Sequence, residues 1–219
     1  MAVTLPEIPL ATFSAALSPM APEPLAPAVY QRLFAHYEEL RRWSPRLALI
    51  GPGTAGEVLA RHFGESLAAL PCLPTNGGAP GRLVDIGSGA GFPGLVLAAA
   101  RPDWDVTLVE PRERKWAFLQ AAARHAGLSC RCLNARVATL LPPGLPDAYE
   151  AVTVRALRLP SPVLAALAGR LSPGGRVLLW AGAEDPPLPP GLRLIRAEPL
   201  AGSLARRLLV VERALQESW

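Results

Sequence analysis

Lysine is almost missing from this chain. Lys115 stands alone against 21 arginines, so nearly every positive charge is a planar guanidinium suited to carboxylates and phosphates. Long apolar runs are missing too: the best, Leu95–Ala100, falls far short of the roughly 20 residues of a bilayer-spanning helix, and no membrane segment is expected. The N-terminus lacks a basic stretch, carries Glu7 and is broken by Pro6 and Pro9. It does not read as a signal peptide, and a cytoplasmic protein is expected. Only three cysteines occur, Cys72, Cys130 and Cys132. Their odd number and lack of zinc spacing argue against a disulfide framework and a structural metal, and buried thiols are expected. No internal repeat is present. With 50% hydrophobic and 18% charged residues, a mainly disordered chain is excluded.

What is abundant is proline and glycine, 25 and 19 residues, which points to loops and stiff connections and away from a coiled coil or a collagen-like repeat. A formal charge of +4 permits a polyanionic partner, although an arginine-rich surface alone gives the same figure. The length of 219 residues suits one large domain with a smaller appendage.

Residues 1–27 hold Pro6, Pro9, Pro19, Pro22, Pro24 and Pro27, a density expected to deny both helix and central strand, so an extended arm is predicted. A helical subdomain is expected over 28–80. Tyr30, Leu33, Phe34, Tyr37 and Leu40 recur at helical spacing up to Trp43, where Ser44-Pro45 ends the run. A second helix is predicted from the capping-box sequence Thr54-Ala55-Gly56-Glu57, with Val58, Leu59, Phe63, Leu67 and Leu70 on one face. Pro71 to Gly81, with Asn76 and Gly78, reads as a loop.

Over 81–219, β-like runs at 83–86, 106–109, 130–133, 151–154 and 176–179 alternate with helical patterns around 93–100, 112–126 and 161–171. Ser161-Pro162 opens the last helix as N-cap and first residue. Such alternation implies βαβ units and a mostly parallel sheet covered on both faces. Leu192–Arg196 and Arg207–Val211, without a helix between them, predict a terminal antiparallel pair at the sheet edge.

Directly after the first strand comes Asp85-Ile86-Gly87-Ser88-Gly89-Ala90-Gly91-Phe92-Pro93-Gly94. Glycines at a strand-to-helix turn let a ligand approach the main chain. The dinucleotide fingerprint fails, because Phe92 stands where its third glycine belongs. Asp85 would repel a pyrophosphate and favour a cationic ligand. S-adenosylmethionine (SAM) carries an ammonium and a sulfonium, and Glu110, closing the second strand, stands where a carboxylate holds ribose hydroxyls. A Rossmann-like class I SAM-dependent methyltransferase with an antiparallel edge strand and a small N-terminal helical extension is therefore expected.

The acceptor is narrowed by what the motifs omit. The place of an amine-methylating Asn/Asp-Pro-Pro-aromatic clamp reads Thr153-Val154-Arg155-Ala156. Cys72 lacks the companions of a pyrimidine C5 nucleophile. His36, His62 and His125 stand in predicted helices without evident partners, so no general base is assigned. A ring nitrogen with a free lone pair, such as guanine N7, needs none; it has to be oriented and desolvated. Candidate RNA contacts are Arg112, Arg114 and Lys115 after Glu110, then Arg136 and Arg155 at strand ends. Arg206, Arg207 and Arg213 read as a solvated edge.

These residues resemble the RsmG (GidB) family of bacterial methyltransferases that modify guanosine N7 in the 530 loop of 16S rRNA. The likeness rests on Leu83 to Gly94, Glu110 with Arg114-Lys115-x-x-Phe118-Leu119, Arg136-Val137, Val152 to Ala156, and upstream Arg61-His62-Phe63-x-Glu65-Ser66-Leu67. It implies that Gly87 and Phe92 line the methionine end of SAM, beside Asp85, Gly89 and Gly91, which the turn itself marks as cofactor-binding, that Glu110 holds the ribose, and that Val137-Ala138 meets the adenine. Arg136 and Arg155 would sit near the methyl group and the incoming base, with Arg155 also touching the cofactor. Arg114 takes the place of a family Lys that faces RNA, with Lys115 its basic neighbour, and Arg112 and Arg136 remain RNA candidates from their positions. S-adenosylhomocysteine is the implied product, 16S rRNA or the small ribosomal subunit the partner, and a monomer without metal is expected. Three departures stand out: Ala48-Leu49-Ile50 for the family's Asn-Leu-Thr, Ala138 for an acid, and Ala181-Gly182 for Lys-Gly. They leave open another RNA or a small-molecule acceptor, and a non-catalytic SAM- or RNA-binding protein.

Overall fold

The computed structural model describes residues 3–214 except 76, 78, 139 and 204, so Asn76 and Gly78 of the expected loop lie outside the described residues. Five strands run parallel: β1 (Gly81–Ile86), β2 (Trp104–Val109), β3 (Arg131–Leu133), β4 (Tyr149–Val154) and β5 (Leu171–Ala181). With β6 (Leu192–Pro199) and β7 (Arg207–Arg213) they form one sheet in the order β3-β2-β1-β4-β5-β7-β6. The terminal antiparallel pair is present. The strand that runs against the rest is β7, however, which lies one place inside the edge that β6 occupies. Pairing lengthens the strands beyond their apolar runs, as where Gly81 and Arg82 align with Trp104 and Asp105.

Alternate strand residues feed two apolar layers. Leu83, Val106, Leu108, Ala151 and Leu178 face α4 (Gly94–Ala100), α5 (Glu113–His125) and the N-terminal helices. Val84, Ile86, Val152 and Val177 face α6 (Ser161–Gly169) on the other side. Helix α6 starts one residue earlier than expected, with Pro160 as its N-cap. Because β1 has β2 on one side and β4 on the other, the sheet reverses direction there and leaves a crevice at the strand C-termini.

The expected extended arm is instead folded. Helix α1 (Leu10–Leu17) occupies the proline-free stretch between Pro9 and Pro19, where no missing N–H interrupts the turns. Phe13 and Leu17 are fully buried, and the Phe13 ring lies 5.4 Å from Phe63 and 5.5 Å from both Phe34 and Tyr37. Upstream, Val3 donates its N–H to the Ser44 carbonyl at 3.2 Å, and the Tyr37 hydroxyl donates to the Pro6 carbonyl at 2.6 Å. Helix α2 (Pro27–Trp43) matches its periodicity.

The second predicted helix is broken into a 3-10 turn (Pro52–Glu57), a wide π-type stretch (Leu59–Gly64), the single α-turn α3 (Glu65–Leu67) and a 3-10 turn (Leu70–Cys72). Thr54 is no cap; its hydroxyl donates to the Gly51 carbonyl and meets His62 Nε2, each at 3.0 Å. Outside donors explain the irregularity. Arg155 donates to the Arg61 and His62 carbonyls and Ser66 donates to that of His62, occupying acceptors of a regular helix ladder.

Candidate active site

The turn after β1 takes its shape from buried packing. Gly91 has a φ of +84°, and a Cβ there would lie 2.4 Å from Leu95 Cδ1. A Cβ on Gly94 would lie 2.3 Å from Leu108 Cδ2 and 2.7 Å from Asp85 Oδ2. Asp85 is 1% exposed and serves this scaffold: Oδ1 accepts from the Thr153 hydroxyl at 2.7 Å and Oδ2 from the Gly94 N–H at 3.2 Å. Burial pushes its carboxyl up to about 6, opposed by those hydrogen bonds. Neither Asp85 nor Gly91 lines the cavity above the turn, so Asp85 acts on the cavity through its charge, which is felt by Arg155 of the wall, and not by direct contact.

That cavity, of about 630 Å³, opens at the C-terminal ends of β1, β2, β4 and β5. Gly87, Ser88, Gly89, Ala90 and Phe92 form one wall. Glu110, 5% exposed, stands at its floor, its Oε2 accepting from the Gly89 N–H and its Oε1 from the Arg112 N–H, both at 2.9 Å. A single carboxylate thus ties the first turn to the second. Arg112, Lys115 and Arg136 complete the rim. Lys115 is half-buried, which holds its ammonium below the ordinary lysine range against the pull of Glu110. An adjoining cavity of about 420 Å³ is lined by Val137, Ala138 and Val109 and shares Gly87, Arg136 and Leu157 with the first. Arg114 lines neither; it turns outward and donates to the Arg46 carbonyl at 3.3 Å.

The opposite wall comes from the irregular N-terminal segment, and here the structure adds residues the motifs did not flag. Glu65, 4% exposed, accepts from Arg155 Nη2 at 2.9 Å and Arg206 Nε at 2.8 Å, with Arg61 Nε at 3.4 Å. Arg155 therefore has both terminal nitrogens committed, to Glu65, Ser66 and the Arg61 and His62 carbonyls. Burial lowers its guanidinium to about 10 while Glu65 raises it. Arg206 belongs to this network and not to a solvated edge, because the β6–β7 connection folds back over the cavity.

The three histidines all have partners. His62 lines the cavity and stacks on Phe92 at 5.0 Å; burial first, then the charges of Arg155 and Arg61, lower it to about 3. His36 is buried, bonds the Ala90 carbonyl through Nε2 at 2.8 Å, and is lowered by burial to about 4. His125 meets Glu39 at 3.0 Å. Of the cysteines only Cys72 is fully buried; Cys130 and Cys132 are half-buried, and burial pushes their thiols up to about 12 and about 11. The Arg61 to Leu67 motif was the available signal for the second wall, but its spacing alone reads as a helix face.

Residues 29–186 match the family described as GidB, rRNA small subunit methyltransferase G. The chain belongs to this family. Ribosomal RNA small subunit methyltransferase G of Xanthomonas euvesicatoria pv. vesicatoria is 37% identical over 182 residues, 80% of this chain and 82% of that protein. Its counterpart in Desulfotalea psychrophila is 46% identical over 95 residues, 43% of this chain and 42% of that protein. Among solved structures, TrmN from Thermus thermophilus aligns with a TM-score of 0.53 and 24% identity over 71% of this chain and 53% of that chain, a likeness of fold alone. The fold is that of class I methyltransferases, and the family makes the chain a SAM-dependent methyltransferase.

Proposed function

We propose that this enzyme transfers a methyl group from SAM to N7 of a guanosine in the 530 loop of 16S rRNA. The observation that carries the reading is that the acids and the histidine of the cavity wall are all engaged or too weakly basic to remove a proton. Glu65 is held by arginines, Glu110 by two backbone N–H groups, and His62 has a pKa of about 3. Guanine N7 presents an unprotonated lone pair, so its methylation releases no proton and calls only for alignment and desolvation. An exocyclic amine or hydroxyl acceptor would need a base.

The residues present fit SAM. The cavity of about 630 Å³ lies within the roughly 300–1,000 Å³ usual for small-molecule sites. Glu110 would hold the ribose, Gly87, Gly89 and Phe92 the methionine end, and Val137 with Ala138 the adenine in the smaller apolar cavity. When bound, SAM supplies an electrophilic methyl group on a sulfonium, and S-adenosylhomocysteine is the product. Arg136 is exposed on the shared rim of both cavities, placed to bond a base-edge oxygen or a phosphate of the incoming nucleotide. Lys115 and Arg112 add positive charge on the same side. Arg155 keeps the second wall in place and orders the surface on which the base is received.

In this reading the enzyme works as a cytoplasmic monomer on 16S rRNA or the small subunit. Among the described residues no helix is long and apolar enough to cross a membrane. Primer-extension mapping of the guanosine in a strain lacking the gene is the test: loss of the mark is expected, and its retention overturns the proposal. A second reading, an acceptor other than this guanosine, draws support from the lining itself. Ile50 and Ala181, where the family motifs read Thr and Lys, line the cavity, and Ala138, in place of an acid, lines the adjoining one. Transfer of labelled methyl from SAM to purified small subunits separates the two.

A further inference from the structure

Helices α2 and α5 pack side by side, and a groove of about 670 Å³ opens between their outer faces. From α2 and the turn after it come Glu39, Arg42, Trp43 and Arg46, spaced three and four residues apart on one stripe. From α5 come Arg114, Arg124 and His125. Among the described residues the one carboxylate lining the groove, Glu39, is 4% exposed and already satisfied. It accepts from Arg42 Nη1 at 2.7 Å and Trp43 Nε1 at 2.9 Å and meets His125 Nδ1 at 3.0 Å.

Arg46 and Arg124 are exposed, and neither guanidinium has an ionic or hydrogen-bonded side-chain partner among the described residues. Cations gathered on facing helices repel one another unless a polyanion lies between them. The groove shares no lining residue with the cavity but borders it along the chain. Arg46 and Leu47 run directly into Leu49, Ile50 and Gly51 of its wall, and Arg114 stands on the first turn of α5 between Arg112 and Lys115 of its rim. Along α5, Arg114 and Arg124 are separated by about 15 Å at helical rise, enough to meet more than one phosphate of a strand.

We propose that this groove is a second anchoring site for the sugar-phosphate backbone of rRNA flanking the target nucleotide. The proposal rests on the rRNA-methylation reading and adds a site remote from the chemistry. Its chemistry is phosphate contact: the Trp43 indole N–H is spent on Glu39, which leaves the exposed guanidiniums of Arg46 and Arg124 to meet the backbone. Trp43, Leu47 and Ala121 supply the apolar lining, and Arg42, Arg46, Arg114 and Arg124 surround it, so a sugar-phosphate chain suits the groove better than the apolar face of a protein helix.

The test is the double variant Arg46→Gln/Arg124→Gln in the full chain, chosen because neither change removes an internal side-chain contact. Binding of a labelled 16S rRNA fragment that carries the 530 loop and its flanking helices is measured over a range of salt. Loss of two phosphate contacts is expected to reduce the slope of log K against log salt by about 1.4–1.8 and to weaken low-salt binding about tenfold or more. SAM affinity by calorimetry stays unchanged. An unaltered slope and affinity in the double variant overturns the proposal. So does a loss confined to assembled subunits with naked rRNA binding retained, which would assign the groove to a ribosomal protein. A wild-type enzyme that neither binds nor methylates small-subunit rRNA overturns the functional reading, and this one with it.

Discussion

Replacing Glu65 by glutamine removes one negative charge from the point where three guanidiniums converge. The carboxylate is 4% exposed and lies 2.9 Å from Arg155, 2.8 Å from Arg206 and 3.4 Å from Arg61. Removing one partner of a buried ion pair costs about 3–5 kcal/mol, because the other charge is left without compensation. Two features place this case at the lower end. Arg155 keeps the Arg61 and His62 carbonyls and the Ser66 hydroxyl as acceptors. Arg206, with 26% of its side chain exposed, can turn to solvent, so its own share is below about 1 kcal/mol. A loss of about 3 kcal/mol follows, and for a chain of this size that corresponds to a fall in Tm of about 6–12 °C. Calorimetric melts of wild type and Glu65→Gln at neutral pH measure it. The fall should persist at high salt, since buried pairs are screened far less than exposed ones. Methyl transfer should fall as well, because the His62 wall shifts when Arg155 loses its counter-charge. A drop in Tm of less than about 2 °C would refute the argument, as it would mean that the carboxylate does not hold this wall together.

Three further outcomes are expected. Glu110→Gln should weaken SAM binding about 10–100-fold, in line with the roughly 1.5–3 kcal/mol of a charged hydrogen bond, and unchanged calorimetric affinity would remove Glu110 from the cofactor site. Gly94→Ala drives a Cβ into Leu108 and the Asp85 carboxylate and should lower stability by about 1–3 kcal/mol or more, read from the denaturant midpoint. His36, held near 4 in the folded protein against 6.5 unfolded, binds its proton more weakly in the native state. Its contribution is complete above pH 6.5 and is lost as pH falls toward 4, by up to about 3 kcal/mol; His36→Gln should flatten that acid limb of the stability curve, and an identical pH dependence in the variant would contradict the assignment.

The alternation of strands and helices after Gly81 was legible because β1, β2, β4 and β5 each feed both apolar layers and the helices between them bury apolar residues, patterns written in local order. The two acids were legible as positions, less so as roles. Asp85 and Glu110 close consecutive strands as read, yet Glu110 lines the cavity while Asp85 supports the turn from beneath. Nothing local distinguishes them, since their orientation depends on Thr153, 68 residues away from Asp85, and on Gly89, 21 residues before Glu110. The proline-rich N-terminus misled for the opposite reason. Counting prolines ignored the nine-residue gap in which the eight-residue α1 forms, and only a neighbouring Phe34, Tyr37 and Phe63 give Phe13 a reason to be helical and buried.

Local sequence by itself determined the parallel sheet, the glycine turn, the acid after β2 and the family resemblance, because strand pattern, turn chemistry and motif spacing involve residues close along the chain. Tertiary structure alone decided which charges are free. Arg155 and Arg206 are consumed by Glu65, Arg136 faces the cavity, and Arg46 and Arg124, without a side-chain partner among the described residues, stand in a separate groove. The reason is physical: whether a guanidinium is spent or available depends on which carboxylate lies within about 3 Å of it after folding, and those partners are up to 141 residues away along the chain.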